Sequence, residues 1–364
     1  MNVPALIDAL AKNHSLSRTE YEFLIAGRTD DYARILADRA DRERRKIYGN
    51  TVYIRGLIEI SNFCKNDCFY CGIRKSNKRC KRYRLTEADI IGCAETGYAL
   101  GFRTFVLQGG EDGFFTDNFL CPLIGTLKKR FPDCALTLSL GERSFESYKK
   151  LYEAGADRYL LRHETADKTH YGQLHPAELS YDNRMRCLHD LRTIGFQTGC
   201  GFMAGSPYQT PAVIAQDLKF IEIFKPDMCG IGPFIPHRNT PFKGKPAGTS
   251  DLTCYLLSII RLIHPVILLP ATTALNTIDP EGHIRGIAAG ANVVMPNLSP
   301  SNVRNKYELY NNKAHTGAEA AENKKILDGQ LFSAGYQTVI GRGDVYKPPA
   351  RDTKNGIAEK AAGF

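Results

Sequence analysis

The chain has 364 residues, 43% hydrophobic and 24% charged, which allows a full core and argues against wholesale disorder. Its formal charge of +9 is spread out with no recognised nucleic-acid-binding motif, so nucleic acid is not the expected partner. Eleven cysteines are too sparse for a disulfide scaffold, the N-terminus does not read as a signal peptide, and no apolar run is long enough to span a membrane, so a cytoplasmic protein is expected.

Residues 1–50 read as helices. "SLSRTEYEFLIAG" has Ser15 or Ser17 as a cap and Gly27 as a stop, and "TDDYARILADRADRERRKIYG" ends at Gly49. These helices are expected to cap something larger. From residue 52, β-rich runs recur at 52–60, 104–108, 135–140, 158–162, 197–203, 228–234, 266–270 and 292–296. Segments of helical periodicity lie between them. Such alternation builds right-handed βαβ units on a parallel sheet, and eight of them over about 245 residues fit a closed (β/α)8 barrel better than an open sheet. The barrel is expected over 51–345. A tail over 346–364, with Pro-Pro and little apolar content, is expected to be mobile.

Several strand candidates end in polar or reactive side chains: Gln108, Ser139, Arg162, Met203 and Met295. In a barrel these ends converge on one mouth. The run that bears most directly on chemistry is "SNFCKNDCFYCGIRKSN" (61–77), where Cys64, Cys68 and Cys71 form a CxxxCxxC pattern directly after the first strand. Structural zinc takes four ligands, usually in two close pairs, and only one group is present here. A redox dithiol at Cys68 and Cys71 leaves Cys64 unexplained. A [4Fe-4S] cluster on three thiolates keeps one iron open for an external ligand, and the spacing favours this reading. Phe69 and Tyr70 would then shield the cluster and offer an aromatic surface.

This CxxxCxxC loop, in a (β/α)8 pattern, resembles the radical S-adenosylmethionine (SAM) superfamily. "QGGED" (108–112) after the second strand matches that superfamily's GGE motif. More finely, "LSLGE", "AGADRYLLRHETAD", "GIGPFIPHRNTP", "PATTALNTIDPEG" and "GANVVMPNLSPSNVR" look like the [FeFe]-hydrogenase maturases of the HydE family, from about residue 20 to 345. Biotin synthase and methylornithine synthase share the superfamily core.

The resemblance implies that Cys64, Cys68 and Cys71 ligate one [4Fe-4S] cluster. SAM would be bound by Tyr70, Gln108, Gly109, Gly110, Glu111, Glu164, Arg184 and Tyr307, with Arg184 pairing its carboxylate. Arg162 would face the barrel interior as an anion contact close to the chemistry. Thr137, Ser139, Thr272, Thr273 and Met295 would line the substrate position, although a barrel-facing Thr or Ser is as often hydrogen-bonded filler. His163 is expected to point into the helical layer, and His237 either to reach the mouth or to support its loop. The region "HTGAEAAENKKILDGQ" lacks the cysteines that hold a second centre in some HydE proteins, so no second cluster is expected.

By the same resemblance the substrate is a small organometallic or amino-acid-derived molecule. The partners implied are an electron donor such as flavodoxin or ferredoxin and the maturases HydG and HydF. Another radical SAM mutase or C–S bond enzyme, or a non-catalytic iron–sulfur scaffold, remains an alternative.

Overall fold

The computed structural model describes residues 2–314 and 320–347, which include the whole expected barrel apart from five residues. Eleven strands are present: β1 (Thr51–Ile54), β2 (Gly56–Ser61), β3 (Thr104–Gly109), β4 (Ala135–Ser139), β5 (Arg158–Leu160), β6 (Gln197–Cys200), β7 (Met203–Ala204), β8 (Met228–Cys229), β9 (Gly232–Pro233), β10 (Val293–Val294) and β11 (Gln337–Val339). Six of them form one parallel sheet in the order β2-β3-β4-β5-β6-β8. Pairing then continues through single parallel bridges from Met228 to Leu268, from Pro270 to Val293 and from Leu57 to Asn297. The ring therefore returns to its first strand, giving the expected α/β barrel.

The sequence readings at 52–60 and 266–270 change in detail. The first run breaks at Arg55, leaving β1 to pair with β10 and β2 to pair with β3. The second run joins its neighbours only by bridges, because Pro270 has no N–H to continue a ladder.

Register sets what faces inward. Glu59 lies opposite Gln108, and Gln108 opposite Ser139, so three polar residues share a level near the strand C-termini. Thr137 lies opposite Arg158, and Arg158 opposite Gln197, nearer the base.

The N-terminal helices are Val3–Asn13, Arg18–Ala26 and Asp30–Tyr48. They form an outer layer against the helices Pro211–Phe224 and Ser250–Ile263. Tyr21 donates to Glu222 at 2.7 Å, and Tyr255 donates to the Leu24 carbonyl at 2.8 Å. No described helix is long and apolar enough to cross a membrane.

The barrel floor was not foreseen. β11 adds in parallel to β1 on the side away from β10, and residues 342–345 then run under the strands. Arg158, fully buried, donates to Thr104 (3.1 Å), Gln197 (3.2 Å), the Arg342 carbonyl (2.7 Å) and Asp344 (2.6 Å). Arg342 bonds both Asp344 and Asp157. Burial alone would raise the Asp344 carboxyl, but hydrogen bonds from Arg342 and the charge of Arg158 outweigh it and hold the group well below the usual carboxylate range. Residues 348–364, most of the expected tail, lie outside the described residues.

Because its folded pKa is depressed, Asp344 contributes stability that is present above the unfolded carboxylate pKa and lost as pH falls through the folded one. Asp344→Asn leaves Arg158 buried without a counter-charge; since Asp344 is part-exposed, the expected cost at neutral pH is about 2 kcal/mol. Chemical denaturation should show that loss. The gap to wild type should narrow below about pH 4, where the unfolded carboxylate protonates.

Candidate functional site

The mouth is built around the loop that follows β2. Cys64, Cys68 and Cys71 are only partly exposed; Cys68 feels Cys64, and Cys71 feels both. Burial pushes Cys68 up to about 12, with Cys64 adding to the shift, and burial likewise raises Cys71 and Cys64. Three neighbouring thiolates are stable in such a place only when a bound cation shares their charge. Among the described residues no three His, Cys, Asp or Glu side chains are drawn around one point, as a single zinc ion requires. A cluster attaches each thiolate to a different iron and so suits separated sulfurs. The donor set fits a [4Fe-4S] cluster held by Cys64, Cys68 and Cys71.

The Gly-Gly-Glu segment after β3 braces this loop. The Gly110 N–H donates to the Ser61 carbonyl at 3.1 Å, and the Lys65 N–H donates to the Glu111 carbonyl at 2.9 Å. A Cβ on Gly110 would lie 2.2 Å from the Phe63 carbonyl oxygen and 2.8 Å from the Cys64 Cβ, so only glycine permits the approach. Gly109 ends β3 with ordinary clearance. On the other side, Phe69 N–H donates to the Leu174 carbonyl at 3.0 Å, and the Tyr70 hydroxyl sits 3.1 Å from His175 Nε2.

Two acid–base arrays flank the loop. Arg184, on the helix Tyr181–Ile194, donates from Nε to Glu142 (2.6 Å) and from Nη1 to the Arg162 carbonyl (3.0 Å), while Nη2 stands 3.6 Å from Glu111. With Nε and Nη1 so committed, a two-pronged grip on a ligand carboxylate would require Glu142 or that carbonyl to yield. The second array is Arg162 and Glu164. Their closest atoms are 3.3 Å apart, yet buried Nε and Nη2 of Arg162 and Oε2 of Glu164 lack hydrogen-bond partners. Glu164 also holds a left-handed φ of 65°, uncommon for a residue with a Cβ. An ion pair whose buried atoms lack hydrogen bonds, one member of it in a strained conformation, marks a place shaped for a ligand.

The remaining expected residues divide. The Gln108 amide donates to the Tyr307 hydroxyl at 3.4 Å, and Tyr307 is buried over the same level. Thr137 faces inward with an unpartnered buried hydroxyl, so it is not satisfied filler. Ser139 shares the level of Gln108. Thr273 and Met295 line one cavity with Leu57, Asn297 and Lys313. Thr272 is instead the N-cap of the helix Thr273–Ile278, its hydroxyl accepting from the Leu275 N–H at 3.4 Å. His163 lies in the helical layer between Asp217 and Phe220, as expected. His237 supports its loop, accepting from the Asn239 N–H at 3.1 Å and facing Glu308.

Sequence reasoning missed a strap over 305–314. It is fastened by the Lys306 carbonyl, which accepts from Asn62 at 2.7 Å, and the Leu309 carbonyl, which accepts from the Gly72 N–H at 2.8 Å. Tyr307, Tyr310 and Lys313, three residues apart, turn from it into the barrel. Lys313 pairs with buried Glu59, which also accepts from Asn297 at 2.9 Å; Tyr310 lies near Thr277, Glu59 and Arg162. A carboxylate inside the apolar run "GLIEIS" was the available signal for Glu59. Nothing local in the sequence singled out Lys313.

Residues 58–221 match the model of the radical SAM superfamily. The [FeFe] hydrogenase maturase subunit HydE of Thermotoga maritima is 44% identical over 274 residues, covering 75% of this chain and 78% of that protein. A 3-methylornithine synthase of Methanosarcina barkeri is 27% identical, covering 81% and 83%. Among solved structures, methylornithine synthase PylB superposes with a TM-score of 0.79 at 24% identity, covering 92% of this chain and 97% of that one. The [FeFe]-hydrogenase maturase HydG does so with 0.76 at 20% identity, covering 93% and 76%, and at these identities both show the fold alone. A buried three-thiol loop braced by Gly-Gly-Glu at a barrel mouth is what this kinship predicts: the chain is a radical SAM enzyme of the HydE family.

Proposed function

We propose that this protein cleaves SAM at one [4Fe-4S] cluster and acts in assembly of the diiron site of the [FeFe]-hydrogenase H-cluster. The observation that carries the reading is the loop of three part-buried thiols beside the Arg162–Glu164 ion pair, whose buried Nε, Nη2 and Oε2 atoms make no hydrogen bond. When bound, the cluster supplies the electron that breaks the S–C5′ bond of SAM, giving a 5′-deoxyadenosyl radical. Glu111, the Gly109–Gly110 backbone, Glu164 and Arg184 orient SAM, while Tyr70, Gln108 and Tyr307 hold its place against the loop. Arg162, Thr137, Ser139, Thr273 and Met295 receive the substrate, with Thr272 fixing the helix start beside them.

The substrate is an iron complex carrying carbon monoxide, cyanide and cysteine, supplied by HydG, and the radical attacks its cysteine sulfur. The inward guanidinium of Arg162 suits an anionic guest, and the closed barrel keeps water from the radical. HydF is the acceptor expected further along. The protein works in the cytoplasm, where these partners would meet it.

Anaerobic reconstitution should load about four irons per chain, and the EPR spectrum of the reduced protein should change on adding SAM. Cys64→Ala, Cys68→Ala or Cys71→Ala should each abolish both. Zinc in place of iron, or a spectrum indifferent to SAM, would leave only a binding scaffold.

Methylornithine synthase shares the fold, and its reaction offers a direct control. Incubated with SAM, reductant and the HydG product, the protein should release methionine and consume that product with the adenosyl C5′ joined to its sulfur, whereas 5′-deoxyadenosine would mean hydrogen abstraction instead. With free amino acids in its place, no methylornithine should form; its formation would favour the mutase reading.

The basic run over 73–84 divides in two. Arg74 pairs with Asp67 and Arg82 bonds backbone carbonyls, whereas Lys75, Lys78, Arg79 and Lys81 are exposed, and Arg79 lines a surface hollow with Arg238 and Lys243. This face suits an acidic reductant such as flavodoxin or ferredoxin. Charge reversal at Lys78 and Lys81 should slow cluster reduction at low salt and remove its salt dependence, and unchanged stopped-flow rates would exclude the face.

A further inference from the structure

His175 follows the short helix Lys168–Leu174 and is buried. Its Nδ1 lies 2.9 Å from the Tyr171 carbonyl oxygen, which can only accept, so Nδ1 carries the ring proton. The Tyr171 ring stacks on the imidazole with centroids 4.0 Å apart, fixing its plane. Burial lowers the imidazole pKa to about 3, against the opposing bond to Tyr171, so the ring is neutral under working conditions. Nε2 is then a bare acceptor, 3.1 Å from the Tyr70 hydroxyl. Tyr70 stands between Cys68 and Cys71 in the loop, and among the described residues its hydroxyl meets His175 and bonds no cysteine sulfur. A phenol has one proton, and the geometry sends it to His175.

We propose that His175 is a positioning residue that draws the Tyr70 hydroxyl proton away from the Cys68 sulfur and thereby keeps the reduction potential of the bound cluster low. The inference rests on the cluster reading of the three cysteines. Reduction adds one negative charge to the cluster, so a hydrogen bond to a ligand sulfur favours the reduced form and raises the potential. Directing that proton to a neutral acceptor withholds this stabilisation and preserves the driving force for breaking a strong S–C bond. The Phe69 N–H, donating to the Leu174 carbonyl next to His175, keeps the two segments in register.

The test is an EPR-monitored redox titration of the reconstituted full-length protein without SAM, with iron counted in every sample. His175→Phe keeps a ring against Tyr171 but cannot accept. It should raise the equilibrium constant for one-electron reduction about tenfold, an upward shift of about 59 mV. His175→Gln, whose amide oxygen can accept, should stay near wild type. In a Tyr70→Phe background, His175→Phe should have no effect, because no hydroxyl is left to release. Should His175→Phe assemble no cluster, His175→Leu serves the same comparison. An unmoved potential with full iron, or a shift that persists in the Tyr70→Phe background, overturns the inference while leaving the cluster reading intact. A wild-type protein that takes up no iron overturns both.

Discussion

Three cysteine thiols on one part-buried loop repel one another once ionised, and much of the mouth follows from that constraint. The loop cannot hold this conformation on its own, since it spans 62–77 without a regular element of its own. Neighbours hold it from three directions: the Gly109–Gly110 turn under Phe63, the end of the helix Lys168–Leu174 against Phe69 and Tyr70, and the strap over 305–314 against Gly72. Each brace includes a backbone hydrogen bond, from Gly110 to Ser61, from Phe69 to Leu174 and from Gly72 to Leu309, which positions the loop without adding charge. Gly72 shows how tight the fit is, because a Cβ there would lie 2.1 Å from the Glu308 carbonyl oxygen. A side chain at Gly72 or Gly110 should therefore disturb the cysteine loop before it disturbs the barrel.

The barrel interior is charged at both ends; at the floor Arg55 meets only Met228 and the Gly343 carbonyl and keeps a buried Nε without a partner, while the groups around it are paired. At the floor, Arg158, Arg342, Asp157 and Asp344 form a network in which each guanidinium meets a carboxylate. Such pairing fixes geometry and leaves little capacity for a ligand. At the mouth, Arg162 and Glu164 are close but keep buried atoms without partners, and Thr137 keeps a free hydroxyl. Unmatched buried groups cost stability, and their persistence is understandable where a ligand completes them.

The sequence disclosed the mouth better than the floor, for a physical reason. Cys64, Cys68, Cys71 and Gly109–Glu111 act through local spacing, which a sequence carries directly. The strands were legible because they are β-branched runs between helical periods, and His163 because strand alternation places it opposite Arg162. Contacts made over long separations left no such trace. Lys313 reaches Glu59 across 254 positions, and Asp344 reaches Arg158 across 186. Thr272 looked like a lining residue but caps a helix, a role decided by where the run 266–270 between β8 and β10 ends at Pro270 and the next helix begins.

The same distinction explains why the strap carries, beside the expected Tyr307, two side chains that the motif reading did not assign, Tyr310 and Lys313. A barrel strand can place one inward residue at each level, and at the mouth those positions are taken on β2, β3 and β4 by Glu59, Gln108 and Ser139. Further groups above them have to come from a segment crossing the opening, and Tyr307, Tyr310 and Lys313 do so at a spacing of three. Lys313 ties this segment to Glu59 inside the barrel, while Arg238 and His237 meet Glu308 on its outer side. The ion pair at Glu59 is the inner of these ties and is almost fully desolvated, so breaking it would strand a charge in the interior. The strap is thus anchored in the barrel wall it covers, and the position of Tyr307 over Gln108 depends on a lysine six residues further along the chain.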